Sequence, residues 1–463
     1  MQRAELSLDR TLVADLRRAT KGTVIVPGDA AYDAARAVYF SSIDRRPGVI
    51  VRPADGADVG RVVELARTSG SELAVKNGGH SPAAHGVQDG GIMLDLSTLA
   101  DFHIDVPGRI ARAGAGLAAG AYTAAAGAHG LATGFGDAPS VGIGGITLAG
   151  GVGFLHRRYG LTIDSVLAAE IVTADGRLRR VDAVSDPDLF WAIRGGGGNF
   201  GIVTRLEYRL HQVSSVLGGM LMLPATPARI VAFLAAAMAA PDELSLIMHI
   251  APAPPVPFIP AEQHGRPAIM AMLVYAGDGA AGERALAPFR ALGPPLADLV
   301  RPMRYPEVYE SEAGAPHPVC IAIRTGFADA LDVSAAEAIM AGLQRSTAPM
   351  RVVQFRPLGG AVARVPAGAT AFAHRARGCV VNVAAMYEHP EERAEHVAWV
   401  TETAAALGGS PGAYVGFMSA DDAARIGEAY PGGTGKRLAA LKARYDPGNV
   451  FRSNHNITAA LAG

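Results

Sequence analysis

The chain has 463 residues, of which 49% are hydrophobic, and this length accommodates two or three domains with substantial cores. Its 42 Lys and Arg residues nearly balance 43 Asp and Glu residues, and no basic stripe of the kind that binds nucleic acid or an anionic membrane is present. The two cysteines, Cys320 and Cys379, form no CxxC pair, so the sequence excludes a zinc ribbon, predicts no metal site and favours a cytoplasmic protein.

The first two hundred residues predict small sheets with helices on their faces. Apolar residues recur at helical spacing over residues 58–69, and short β-like runs fall at 73–75, 92–94 and 109–113. We therefore predict an α+β unit of two subdomains that meet near residue 105.

Glycine is abundant, with 56 residues, and it clusters in the first half of the chain. Glycine lets the backbone approach a bulky ligand, and successive backbone N–H groups bind phosphate oxygens. Several clusters that converge on one ligand therefore predict a long, phosphate-bearing molecule such as FAD. The clusters are Gly78-Gly79, Gly114-Ala115-Gly116, residues 142–153 and residues 195–198.

A nicotinamide-binding Rossmann domain is an alternative for one of these clusters. Residues 114–119 fit the pattern G-x-G-x-x-G/A between a strand and a helix, and Asp137 lies at a suitable distance to bind a ribose. However, Asp137 lies in a glycine-rich loop, whereas the ribose-binding acid belongs at the end of a strand. This alternative predicts a colourless protein.

The composition changes near residue 213, where glycines become rarer and longer strands begin. Strands that alternate with helices predict a second domain with an antiparallel sheet and helices on one face. The apolar run at 230–240 is shorter than the roughly 20 residues of a membrane span and predicts a buried helix. The predicted strands are 245–250, 268–275, 320–327, 351–355 and 379–386, and the predicted helices are 227–239, 282–292, 334–344 and 391–407.

Four motifs along the chain resemble those of a known family. Val75-Lys76-Asn77-Gly78-Gly79-His80-Ser81, followed by residues 89–96, is similar to the first flavin motif of the berberine-bridge-enzyme-like oxidases in the vanillyl-alcohol-oxidase superfamily. Residues 142–159, 194–204 and 445–452 resemble the later motifs in the same order.

This resemblance implies a PCMH-type FAD-binding fold of two domains, in which an antiparallel-sheet substrate domain covers the flavin ring. The FAD-binding domain is expected at residues 1–212 and the substrate domain at 213–410. The segment 411–463 is expected to return to the FAD domain.

The resemblance assigns His80 a covalent bond to the C8-methyl carbon of FAD. Taken alone, a histidine after two glycines is an ordinary loop residue, although a neutral imidazole nitrogen is a good nucleophile. Some family members carry a second link from a cysteine just before the proline that is Pro139 here. This chain has Ala138 at that position, so we expect FAD to be linked through His80 only.

Other cofactor contacts also follow from the resemblance. Lys76 replaces the usual Arg, which keeps the charge but loses the planar fork. Val141 matches a position that gates oxygen access, and its modest side chain resembles the oxidases, although it could simply pack. The expected FAD contacts are Lys76, Asn77, Gly78, Gly79, His80, Ser81, His85, Pro139, Ser140, Val141, Gly142, Gly144, Gly145, Gly150, Gly153, Gly198, Gly201, Ile202, Val203, Asn454 and Asn456.

Three residues are candidates for catalysis. His249 and Gln354 are polar positions within apolar strands, where each either faces the substrate or is an interior or edge polar group. Tyr414 matches the family's Tyr-x-Asn element, with Gly416 in place of the Asn, and is either a base with a lowered pKa or an aromatic wall residue.

The sequence as a whole predicts an FAD-dependent oxidase. The expected reaction moves a hydride from a substrate C–H to flavin N5, and O2 then reoxidises the flavin to give H2O2. The expected substrate is a small organic molecule or secondary metabolite, either an alcohol, a cyclic amine or a polyketide-like compound, and the protein is expected to be a monomer or homodimer. The alternative is a flavin-bearing binding or sequestering protein with little turnover.

Overall fold

The computed structural model describes residues 10–309, 319–408, 411–458 and 461. The strands are β1 Thr23–Ile25, β2 Val49–Arg52, β3 Leu73–Lys76, β4 Ile92–Asp95, β5 Phe102–Asp105, β6 Ile110–Gly114, β7 Leu131–Ala132, β8 Val166–Val172, β9 Leu178–Asp182, β10 Ile202–Arg209, β11 His211–Gln212, β12 Val216–Pro224, β13 Leu244–Pro252, β14 Pro267–Tyr275, β15 Ala297–Asp298, β16 Arg301–Met303, β17 Cys320–Ala328, β18 Met350–Pro357 and β19 Cys379–Tyr387. The helices are α1 Arg10–Ala19, α2 Tyr32–Arg36, α3 Gly56–Ser69, α4 Ala119–Gly127, α5 Ile143–Ala149, α6 His156–Tyr159, α7 Pro187–Ile193, α8 Pro227–Ala239, α9 Gly279–Arg290, α10 Val333–Arg345, α11 Gly360–Arg364, α12 Arg393–Ala406, α13 Ile426–Ala429 and α14 Gly433–Tyr445.

A four-stranded sheet in the order β1-β2-β4-β3 forms the first layer. Strands β2, β4 and β3 run parallel, and β1 pairs antiparallel at the edge. Helix α3 packs its valines on this sheet, begins at the Asp55 cap and ends at Gly70 in the left-handed conformation. Because β3 ends at Lys76, the loop with His80 leaves the carboxyl end of a parallel sheet, where ligands commonly bind.

A five-stranded antiparallel sheet, ordered β5-β6-β10-β8-β9, forms the second layer. Its core contains the rings of Tyr122, Phe135 and Tyr208, which pack edge to face. Helix α14, far along the chain, contributes Leu438 and Tyr445 to the same core. The C-terminal segment therefore packs on the second sheet.

The third sheet has eight strands, with seven in the order β15-β12-β14-β13-β18-β19-β17 and β16 paired to β12. All of its pairs are antiparallel, as predicted, and helices α8, α9, α10 and α12 cover one face. Strand β12 was not predicted, because Gly218 and Gly219 interrupt its apolar pattern. The predicted domain boundaries at residues 105 and 212 stay predictions, and residue 410 lies outside the described residues.

A buried ion pair ties the C-terminal tail to the glycine-rich loop after α7. Lys442 Nζ lies 2.6 Å from Asp446 Oδ2 and donates to the carbonyl of Asn199 at 2.9 Å. Asp446 also accepts from the backbone N–H groups of Val450 and Phe451 at 2.8 and 2.9 Å. The Tyr445-Asp446-Pro447-Gly448-Asn449 motif thus turns the chain so that Asn454 and His455 reach a cavity described below.

Candidate functional site

A cavity of about 480 Å³ lies between the glycine-rich loops and the open face of the third sheet. Its walls combine backbone-rich loops from the first half of the chain with side chains of β17, β18 and β19. The predicted site residues that line it are Lys76, Asn77, Gly78, Gly79, His80, Ser81, His85, Val141, Gly142, Gly144, Gly145, Gly198, Gly201, Ile202, Val203, Gln354, Tyr414 and Asn454.

Six other predicted residues do not line this cavity. Ser140 and His249 lie next to the wall, since each bonds to a lining residue, His80 and Gln354 respectively. The Pro139 carbonyl accepts from the Gly120 N–H, so this residue packs against α4. The others outside the wall are Gly150, Gly153 and Asn456.

His80 lies in the loop that follows β3 and lines the cavity. Its Nε2 lies 2.9 Å from Ser140 Oγ, and its ring stacks on Tyr39 with centroids 4.1 Å apart. Gly79 has a φ of 74°, which favours glycine, and Gly78 has no space for a side chain because a Cβ there would lie 2.4 Å from the Gly142 nitrogen. The two glycines therefore place the imidazole against the cavity with a fixed orientation.

Four buried polar atoms of the predicted FAD contacts have no protein partner among the described residues. They are the Oδ1 atoms of Asn77, Asn454 and Asn456 and the Nε2 atom of His85. Unpaired buried polar atoms are costly and indicate a missing partner. The ribose hydroxyls and phosphates of a nucleotide are such partners.

Two glycines leave space on the cavity side that a side chain would fill. A Cβ built on Gly145 or Gly198 meets no protein atom within 4 Å, although both residues line the wall. A wall without side chains lets a pyrophosphate come close to the backbone N–H groups. Together with the unpaired polar atoms, this cradle fits FAD.

The ammonium group of Lys76 bonds to a neighbouring backbone segment, although the residue also lines the cavity. Its Nζ donates to the carbonyls of Ala35 and Ala37 at 2.7 and 3.2 Å and lies 3.7 Å from Asp95 Oδ2. Burial lowers the pKa of Lys76, and Asp95 opposes that shift. The ammonium therefore holds the segment 35–37 beside His80.

Gly150 and Gly153 are needed for packing. A Cβ on Gly153 would lie 1.1 Å from the Phe135 carbonyl oxygen, and Gly150 has a φ of 131° and lies against the Tyr414 ring. Both glycines allow the loop after α5 to pass close to neighbouring elements.

Tyr414 lines the cavity with a defined hydrogen bond. Its hydroxyl accepts from the Gly151 N–H at 2.9 Å, and burial raises its pKa to about 12. This shift is opposite to the lowered pKa that a tyrosine base requires, and burial therefore favours the neutral phenol. Gly416 has no side chain because a Cβ would lie 3.0 Å from the Tyr414 ring.

The substrate-domain wall carries a connected polar cluster, which we call the polar row: His249, Gln354 and Asn382, with Arg356 and Asp137. Gln354 bonds to His249 at 2.8 Å and to Asn382 at 2.9 Å. Arg356 donates to Gln354 at 2.8 Å and pairs with Asp137 at 2.8 Å. Although burial opposes ionisation, Arg356 lowers the pKa of Asp137.

Several residues of this site were missed by the sequence-based predictions. Arg356 and Asn382 were not predicted, and Asp137 was considered only as a ribose ligand. Both carried a signal in the sequence, since Asn382 is a polar residue within an apolar strand and a charged residue such as Arg356 in that setting demands a partner. Its partner Asp137 is 219 residues away in sequence. Tyr39, which stacks on His80, was likewise missed.

The two cysteines lie in strands of the third sheet, whereas Ala138 lies in the loop between β7 and α5. Both are buried and unpaired, and they stand at opposite ends of the paired strands β17 and β19. Ala138 itself lines the cavity. Within the described ranges, no helix combines the length and the apolar character needed to cross a membrane.

Comparison with known proteins agrees with this geometry. Residues 47–182 match the family of FAD binding domains, and residues 413–458 match the family described as berberine and berberine like. The chain is 30% identical over 454 residues to (R)-6-hydroxynicotine oxidase of Paenarthrobacter nicotinovorans, an alignment that covers 94% of this chain and 96% of that protein.

Solved structures share the fold. The crystal structure of 6-hydroxy-D-nicotine oxidase from Arthrobacter nicotinovorans superimposes with a TM-score of 0.86 at 28% identity and covers 97% of this chain and 99% of its own. Glucooligosaccharide oxidase from Acremonium strictum, described with a 6-S-cysteinyl, 8α-N1-histidyl FAD, gives 0.85 at 23% identity, with 97% and 99% covered. The PCMH-type FAD-binding fold is thereby confirmed. The chain belongs to the berberine-bridge-enzyme-like family of FAD-linked oxidoreductases.

Proposed function

We propose that the protein is an FAD-dependent oxidase whose cofactor is covalently linked through His80 alone. The observation that supports this most directly is the position of His80 at a cavity with unpaired polar atoms and side-chain-free glycines. The bicovalent FAD described for glucooligosaccharide oxidase includes a cysteinyl link. Ala138 stands where we expect that cysteine, and both cysteines of this chain lie in the third sheet.

Bound FAD would supply hydride acceptance at N5 from a substrate C–H and would be reoxidised by O2 with formation of H2O2. The chain's own residues would position the substrate against the ring. Gln354 and Tyr414 face the cavity and are proposed to bind the substrate, while His249, beside Gln354 on the neighbouring strand, holds its amide. Tyr414 would act as a neutral hydrogen-bond donor, because its raised pKa disfavours the phenolate.

The proposed substrate is a small organic molecule, either an alcohol, a cyclic amine or a polyketide-like compound. The wall of the third sheet is mostly apolar, with Ile321, Ile323, Val352, Ala384 and Met386 around the polar row. Val141 lines the cavity as well, and we propose that its modest side chain lets O2 reach the site. We further propose a cytoplasmic monomer or homodimer.

The linkage is tested by acid precipitation of the purified protein. The wild type should give a yellow pellet, and His80→Ala should release its flavin into the supernatant. A colourless native protein would overturn the FAD assignment. A yellow pellet from His80→Ala would place the link elsewhere.

Turnover is tested separately by adding candidate substrates without oxygen and following the loss of flavin absorbance. Readmission of O2 should restore the absorbance and produce one H2O2 per turnover. Flavin that no substrate reduces would favour the sequestering protein instead.

A further inference from the structure

The polar row is a line of paired residues across neighbouring strands. His249 on β13 faces Gln354 on β18, which in turn faces Asn382 on β19. Residues paired in this way have side chains on the same face of a sheet. Polar side chains from three neighbouring strands therefore meet on the face of the sheet that carries the cavity wall.

The Asp137–Arg356 ion pair fixes the hydrogen-bond direction of the whole row. Arg356 is 3% exposed at its side chain, and its three nitrogens donate to Gln354, Val152 and Asp137. A guanidinium only donates, so the Gln354 atom that it contacts must be the carbonyl Oε1. The amide of Gln354 can then adopt only one of its two orientations.

This orientation determines the two neighbours of Gln354. Asn382 reaches the same Oε1 and must present its Nδ2, which leaves its Oδ1 buried without a partner among the described residues. Gln354 Nε2 lies 2.8 Å from His249 Nε2 and must donate to it. His249 accepts in its neutral form, consistent with the pKa of about 4 that its burial produces.

The row therefore offers the cavity a defined pattern. Gln354 Nε2 retains a second N–H at the cavity wall, and the unpaired Oδ1 of Asn382 is buried within the wall beside it. A hydroxyl oxygen accepts from this N–H. An ammonium group only donates, and the Asp137 carboxylate is already paired with Arg356 at 2.8 Å.

We propose that this row selects an uncharged, hydroxyl-bearing substrate over an amine cation, with Asp137 and Arg356 as positioning residues that hold Gln354 in its donating orientation. The proposal rests on the proposed function of the cavity. Among the three substrate classes given above, it favours the alcohol.

The test uses the flavin-loaded protein and three compounds with the same ring: benzyl alcohol, benzyl methyl ether and benzylammonium. Binding is measured without oxygen, by calorimetry and by the change in flavin absorbance. We expect benzyl alcohol to bind at least about tenfold more tightly than benzylammonium, with the ether between them, because an unpaired buried polar group is costly.

The variants separate positioning from folding. Gln354→Glu should reverse the preference, so that benzylammonium binds more tightly than benzyl alcohol. Arg356→Lys and Asp137→Asn should each reduce the ratio of the benzylammonium Kd to the benzyl alcohol Kd at least about threefold, because the Gln354 amide can then flip. Arg324→Lys is the matched control, because Arg324 lies on β17 and pairs with Asp422 outside the row. It should keep the wild-type ratio.

Three results would overturn the inference while the protein carries flavin. They are a wild type that binds benzylammonium as tightly as benzyl alcohol, a wild type that binds no alcohol at millimolar concentration, and an unchanged ratio in both Arg356→Lys and Asp137→Asn. Protein that carries no flavin would instead contradict the proposed function, so the two failures are distinguishable.

Discussion

At the residue scale, glycines on the cavity wall determine how much space is left for a ligand. Gly145 lies within α5 and lines the cavity, and a Cβ at this position would have no protein atom within 4 Å. Its lack of a side chain is therefore not required by protein packing. Glycine within a helix costs about 1 kcal/mol relative to alanine, and a glycine on this wall suits the FAD that we propose for the cavity.

Replacing Gly145 should lower the flavin content of the protein without lowering the stability of the flavin-free protein toward urea. Gly145→Leu adds a good helix former where a Cβ meets no protein atom, so in flavin-free protein its urea midpoint should equal or exceed that of the flavin-free wild type. Its flavin content, measured as the ratio of flavin to protein absorbance, should fall because the side chain enters the cavity. Gly279→Leu, at an exposed glycine of α9 with equal space, is the control and should keep its flavin. Full flavin content in Gly145→Leu would mean that FAD does not contact this wall.

The buried Lys442–Asp446 ion pair, which joins α14 to the turn that follows it, is the decisive feature at the element scale. Lys442 and Asp446 are buried, and together they hold the tail against Asn199. Removing one partner of a buried ion pair leaves the other charge uncompensated, which costs about 3 kcal/mol or more. The same helix carries an exposed pair, Arg437–Asp188, at 2.8 Å.

These two pairs allow a matched comparison of stability. Asp446→Asn should lower the free energy of unfolding by about 3 kcal/mol and reduce flavin content, because Asn454 and His455 lose their placement. Asp188→Asn should cost at most about 1 kcal/mol, since exposed ion pairs contribute little. Urea unfolding followed by tryptophan fluorescence measures both. An equal decrease in the free energy of unfolding of the two variants would contradict the stabilising role of the Lys442–Asp446 ion pair.

The elements also show how far the sequence alone leads. Helix α8 was predicted with its observed bounds, Pro227–Ala239, because Thr226 caps it, Pro227 begins it and apolar residues recur at helical spacing. The glycine loops were located because only glycine permits their close approaches. The Asp137–Arg356 pair could not be predicted, since it joins a loop to a strand across two sheets and no local pattern records such a contact.

The molecule as a whole should lose stability in mild acid. Burial lowers the pKa of His249 and of His211 to about 4, with Arg209 and Arg158 adding to the shift at His211. The unfolded chain, with histidine pKa values near 6.5, binds protons between pH 6.5 and pH 4 that the folded chain does not. The stability from these groups is therefore complete above pH 6.5 and is lost as the pH falls toward 4.

Urea unfolding at pH 7.5, 6.0 and 5.0 checks this dependence. The wild type should become less stable at each step, and the double variant His211→Gln/His249→Gln should show a shallower decline. His103→Gln, at an exposed histidine of β5, should leave the profile unchanged. An identical slope in the double variant would exclude these two histidines as the cause.

The central claim is that one flavin is held by one histidine at the meeting point of the three sheets. Mass spectrometry of the denatured protein and of its peptides tests this most directly. The account predicts a mass increase of one FAD on the peptide that contains His80, and none in His80→Ala. A flavin on any other residue, a second link in the same molecule, or denatured wild-type protein without added mass would contradict it.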